Sequence, residues 1–129
     1  MSGCWYRRER AAGQEGAGKL HVRVIRGANL ISRDRNGLSD PFVKVTLGSG
    51  AHKQEKQSEV VPKTLSPTFN ADNILSFEVP HSSDVSVDTG SVLFVEVWDW
   101  DLIPPNQIMG QVRYQHSYNN HRMFCMGSV

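Results

Sequence analysis

Short runs in which apolar and polar residues strictly alternate, separated by Gly, Pro, Asp and Asn, limit most sharply the folds open to this chain. "KLHVRVIR" sets Leu20, Val22 and Val24 against His21, Arg23 and Ile25, and "PFVKVTL" sets Val43, Val45 and Leu47 against Phe42, Lys44 and Thr46. "ILSFEVP" and "SVLFVEVW" repeat the pattern. Side chains of an extended chain point alternately to two faces, so each run predicts a strand with one buried face. No amphipathic helix of ordinary length is visible. The polar "HKQEKQSEVV" suits an outer strand protected by charge, and the prolines of "PKTLSPTFN" end it. A further short strand is predicted at Gln111 to Tyr114. Short strands joined by turn residues make an all-β, antiparallel sandwich or barrel.

At 129 residues the chain fits one domain with a single modest core. Residues 1–18 lack periodicity and read as a flexible leader. The folded domain is expected over 19–115, with 116–129 a polar tail or, at Arg122 to Met126, a short closing strand. Fourteen Lys and Arg against 13 Asp and Glu leave no basic excess, which argues against a nucleic-acid partner. No apolar run nears the roughly 20 residues that span a bilayer, and the first residues have no signal-peptide core. Two cysteines near opposite ends, Cys4 and Cys125, and the lack of an Asn-x-Ser/Thr acceptor favour free thiols and a cytoplasmic setting.

Several apparent motifs fail on context. "GQEGAGK" has phosphate-loop spacing, but Leu20 stands where a magnesium-binding hydroxyl belongs, and no strand precedes or helix follows it. "SRDRNG" begins like a calcium loop between helices, yet the twelfth position is Val43 instead of Glu. His116, His121 and Cys125 lack zinc spacing. No nucleophile elbow or His-Glu-x-x-His pair occurs, so no local motif supports catalysis.

The stretch "VWDWD" poses a different problem. Asp99 and Asp101 fall on one face of an extended chain at about 6–7 Å, where they repel by about 0.6 kcal/mol in water and several times more at a partly buried site. Asp34 and Asp40 flank a second loop. Singly, each suits a turn, because Asp bonds nearby backbone amides.

Taken together, "KLHVRVIRGANLISRDRNGLSDPFVKV", "KTLSPTFN", "LSFEVP" and "VWDWD…IMG" occur in the order and spacing of the C2 domain. The chain resembles that family over about Lys19 to Val112, most closely its protein kinase C and synaptotagmin type. The resemblance implies an antiparallel Greek-key β-sandwich that binds calcium and lipid at one end. Here the final strand is incomplete or is supplied by Arg122 to Met126. It further implies metal ligation by Asp34, Asp40, Asp99 and Asp101 and by the carbonyls of Arg33 and Trp100. The family's next acidic ligand falls on Gln107, a neutral amide, with Asn106 as the neighbouring alternative. A lost charge lowers affinity and the number of ions held.

The implied cofactor is Ca2+, and the implied partner is an anionic phospholipid membrane. Ile103, joined by Leu102, would either enter the bilayer or pack against Pro104 and Pro105, and Arg33 and Arg35 would either meet headgroups or neutralise Asp34. The implied chain is a non-catalytic, calcium-gated module, cytoplasmic and peripheral to membranes when calcium binds. The rival expectation is a calcium-independent protein-interaction domain with a decayed metal site. The family's lysine cluster on the outer strand falls on Gln57 and Glu59, so no phosphoinositide site is expected.

Overall fold

In the computed structural model, which describes residues 4–10, 18–33, 35, 37–48, 51, 53–79 and 92–115, every alternating run becomes a strand. The strands are β1 (Cys4–Arg10), β2 (Gly18–Val24), β3 (Pro41–Leu47), β4 (Gln54–Gln57), β5 (Ile74–Val79), β6 (Val92–Asp99) and β7 (Gln107–Gln115). They form two antiparallel sheets, ordered β1-β2-β5 and β4-β3-β6-β7. There is no α-helix among the described residues.

The predicted apolar faces meet between the sheets. Leu20, Val22 and Val24 of β2 and Leu75 and Phe77 of β5 pack with Val43, Val45 and Leu47 of β3, Leu93, Val95 and Val97 of β6, and Val112 of β7. Burying each such side chain contributes about 1.5–3 kcal/mol, which makes this layer the main source of stability. β3 lies between two partners and is buried along its length except at Lys44. β4, at the sheet edge, is short and mostly exposed, and its charged residues oppose edge-to-edge pairing.

Two sequence expectations change. Residues Cys4–Arg10, expected within a leader, form β1 and pair in register with β2 from Cys4 opposite Val24 to Arg10 opposite Gly18. Apolar periodicity is a poor guide here, because backbone hydrogen bonds to a neighbour can hold an edge strand whose sequence does not alternate. β7 begins at Gln107, four residues before the expected start, because an irregularity lets it pair earlier. Val97 faces Gly110 but Trp98 faces Ile108, so Met109 is an extra residue, a β-bulge. Met109 is nevertheless buried in the core. The suggested closing strand at Arg122 to Met126 lies outside the described residues.

Strand direction then gathers three connections at one end: residues 25–40 after β2, 58–73 after β4 and 100–106 after β6. The first two are laced together by backbone bonds from Gly27 to Pro67 (2.9 Å), Leu30 to Leu65 (2.9 Å), Phe69 to Ile25 (2.8 Å) and Thr64 to Ser39 (2.8 Å), and the third is tied to the first by Trp100 to Asp40 (3.0 Å). Segment 58–64 keeps following the margin of β3 after β4 ends, with the Ser58 and Val61 amides donating to the carbonyls of Val43 and Pro41. In the first connection Gly37 adopts φ 77, a left-handed conformation that strains other L-residues.

Candidate functional site

The inward row of β6 runs Leu93, Val95, Val97 and then Asp99. Alternation therefore carries a carboxylate into the end of the core, where Asp99 is 0% exposed. Its partner across the ladder on β3 is Pro41, which places Asp40 beside it. The Asp40 amide donates to Asp99 Oδ1 at 2.8 Å, and the Trp100 amide donates back to the Asp40 carbonyl at 3.0 Å. Two aspartates 59 residues apart are thereby clamped together.

Asp99 Oδ2 is buried and has no hydrogen-bond partner. Buried polar atoms are nearly always paired, and one on an ionised group is especially costly to leave bare. This oxygen is therefore the group at this end of the sandwich most in need of a partner.

The other flank is better satisfied. Asp40 Oδ1 accepts the Lys63 amide at 2.7 Å, made possible by a left-handed Lys63 at φ 55. The Asp101 amide donates to Asn106 Oδ1 at 3.0 Å, and Asp101 Oδ2 accepts from Gln107 Nε2 at 3.4 Å. Gln107 is the ladder partner of Asp99, so the bulge at Met109 decides which β7 side chain reaches this position. Arg33 braces the site from the first connection: its amide donates to Ser39 Oγ (3.2 Å) and its Nε to the Ile108 carbonyl (3.1 Å).

The structure thus brings Arg33, Asp40, Asp99, Trp100, Asp101 and Gln107 to one end of the sandwich. Asp34 lies outside the described residues. Among the described residues, no three His, Cys, Asp or Glu side chains gather closely enough to hold a metal by themselves. The available donors are carboxylate, amide and backbone oxygens, the chemistry of a hard cation such as calcium. Asn106, the expected alternative to Gln107, instead uses its oxygen on the Asp101 amide. Sequence reasoning missed Ser39 and Lys63, which act through backbone position and a buried hydroxyl and carry no recognisable spacing.

Around this end the surface is apolar and basic. Leu102 and Ile103 are 82% and 83% exposed, Ile31 and Trp100 are also exposed, and the exposed Arg33 and Arg35 follow Ile31 in the first connection. No helix among the described residues is long and apolar enough to cross a membrane.

Comparison with known proteins yields a family model, the C2 domain, that matches residues 18–124. Synaptotagmin-2 of Homo sapiens is 37% identical over 97 residues, which cover 74% of this chain and 22% of that protein. Protein kinase C, eye isozyme, of Drosophila melanogaster is 33% identical over 96 residues, 74% of this chain and 13% of that protein. The solved structure of a C2 domain from plant Extended Synaptotagmin 1 superposes with a TM-score of 0.61 at 29% identity, covering 78% of this chain and 70% of that one. This chain therefore spans about a fifth or less of the two sequence relatives.

Proposed function

The chain belongs to the C2 domain family, and from that premise we propose that it is a calcium-dependent binding module for anionic phospholipid membranes, without catalysis of its own. The observation that carries this reading is the buried, unpartnered Oδ2 of Asp99 at the junction of three loops, two of which expose apolar side chains at Ile31, Leu102 and Ile103. Asp40 and Asp99 would hold the ion, with the expected contributions of Asp34 and of the Arg33 and Trp100 carbonyls. Calcium, when bound, supplies positive charge and coordination positions that a lipid phosphate can fill.

The chain's own residues account for the gating. Asp40, Asp99 and Asp101 concentrate negative charge at the loop end, and this field opposes an anionic surface until it is neutralised. Leu102 and Ile103 stand largely in water, and inserting each contributes about 1.5–3 kcal/mol. Arg33 and Arg35 add about 1 kcal/mol each near a charged bilayer. These terms favour docking only once the aspartate field is cancelled.

Co-sedimentation with phosphatidylserine vesicles tests the reading. The chain pellets in calcium and stays in solution in chelator, and Asp40→Asn with Asp99→Asn stays in solution in both. Equal pelleting in calcium and chelator, or none in either, returns the chain to the rival class of calcium-independent interaction domains.

A further inference from the structure

A strand at the end of a sheet leaves one side of its backbone without partners, which invites pairing with another chain unless charge or cover prevents it. The two sheets end on four such margins, at β1, β5, β4 and β7, and three of them are guarded. β4 is only four residues long, carries Glu55 and Lys56 and follows Lys53. β1 holds Arg7, Arg8, Glu9 and Arg10 in succession. β5 is closed by a side chain from the other sheet: Gln54 Nε2 donates to the Glu78 carbonyl at 2.7 Å, and Gln54 Oε1 accepts from the Glu78 amide at 2.9 Å, as a neighbouring strand would.

β7 is guarded only at its start, where Arg33 Nε donates to the Ile108 carbonyl at 3.1 Å and the bulge at Met109 interrupts the margin. From Gly110 to Gln115 it pairs regularly with β6, and among the described residues its backbone makes no hydrogen bond outside that ladder. Arg113 is the one charged residue in this run. It faces Phe94 of β6, and its guanidinium lies 5.7 Å from the centre of that ring, drawn over the sheet and away from the open margin.

We propose that the free margin of β7 pairs antiparallel with the same margin of a second copy of the chain, joining two four-stranded sheets into one. Antiparallel pairing of identical strands has two-fold symmetry, so both copies use one patch and assembly stops at the dimer. Centred on Val112, the pairing sets Gln111 of each copy opposite Arg113 of the other, an amide oxygen against a guanidinium with no like charges opposed. The buried Val112 side chains meet at the axis and continue the hydrophobic layer across the joint. Because the paired strands run in opposite directions, the two loop ends face opposite ways. On the membrane reading above, on which this consequence alone rests, such a dimer tethers two vesicles.

Analytical ultracentrifugation of the whole chain in chelator, over a concentration series, tests the proposal with Gln111→Lys and with the double variant Gln111→Lys, Arg113→Glu. Gln111 is exposed and faces Glu96, so the lysine is accommodated within one copy, and circular dichroism checks that each variant is folded. Wild type is expected to dimerise reversibly. Gln111→Lys sets lysine against arginine twice and should raise the dissociation constant about tenfold, and the double variant, which opposes Lys and Glu, should restore it. A wild type that remains monomeric up to about 1 mM overturns the proposal. So does a dimer that Gln111→Lys leaves intact, which would place the contact elsewhere, or a monomer whose amides from Gly110 to Gln115 resist hydrogen exchange, which would assign the margin to another segment of the same chain. In calcium, wild type should raise the turbidity of phosphatidylserine vesicles while Gln111→Lys pellets with them without clustering them. A dimer that pellets but does not cluster vesicles overturns the antiparallel arrangement, whereas a dimer that does not pellet in calcium removes the membrane reading and leaves the pairing standing.

Discussion

A carboxylate oxygen shut away from water with no donor in reach is an unstable arrangement, and Asp99 Oδ2 is in that position because it continues a row of core valines. Its Oδ1 is held by the Asp40 amide, so the side chain cannot swing out to hydrate without breaking a 2.8 Å bond. On the proposed function, the calcium-free state carries a cost that the bound cation relieves. Asp99→Asn keeps an acceptor for the Asp40 amide and removes the buried charge and its repulsion with Asp40 and Asp101. In chelator this variant is expected to be more stable than wild type by about 1 kcal/mol, with calcium no longer raising its midpoint. Urea unfolding in chelator and in calcium measures both. A destabilised variant in chelator would show that Oδ2 makes a structural contact instead.

At the scale of elements, two features of the four-stranded sheet separate its end from its outer face. The bulge at Met109 re-registers the start of β7, places Gln107 opposite Asp99 and still lets the Met109 side chain reach the core. On the outer face, Lys44 lies 4.5 Å above the Trp98 ring and 3.9 Å from both Glu55 and Glu96, while Lys53 pairs with Glu55 at 3.3 Å. Each of these two lysines is countered by a carboxylate within the sheet. Glu59, at a position where the family carries lysine, accepts from the Asn70 amide (3.1 Å) and Asn73 Nδ2 (3.0 Å) and so anchors the second connection. With Glu55 and Glu96 countering Lys44 and Lys53, and Arg113 set over the Phe94 ring, this face has little attraction for a polyanionic headgroup. Adding a few per cent of a phosphoinositide to phosphatidylserine vesicles at fixed total charge should leave the calcium midpoint unchanged within about twofold. A marked drop in that midpoint would mean that the face binds phosphoinositide despite Glu55 and Glu96.

For the molecule as a whole, the sandwich brings the ends of β2 and β6 and the start of β3 together and laces the three connections by backbone bonds, so the site depends on the fold being intact. Binding to a site present only in the folded state must raise the unfolding midpoint. Calcium at about a hundred times its dissociation constant adds about 2.7 kcal/mol. A differential scanning measurement with calcium and with chelator reads this directly, and magnesium, which dehydrates reluctantly and demands tighter geometry, should give a smaller shift. Coincident melting curves under all three conditions would refute a preformed cation site.

Sequence alone determined the strands that have a buried face. Leu20, Val22 and Val24, or Val43, Val45 and Leu47, can satisfy a hydrophobic core only by alternating, and that periodicity is local. It also determined the aspartates available for a site, because "VWDWD" and "LSDPF" are contiguous and unusual. Local pattern did not reveal β1, which depends on backbone pairing with β2, nor the bulge at Met109, which is a matter of register between two strands. Nor could it disclose that Asp99 is buried with one oxygen bare while Asp101 is bridged to Gln107. Those facts depend on which backbone amides and side chains from residues tens of positions apart reach each carboxylate, and only packing the two sheets together settles that.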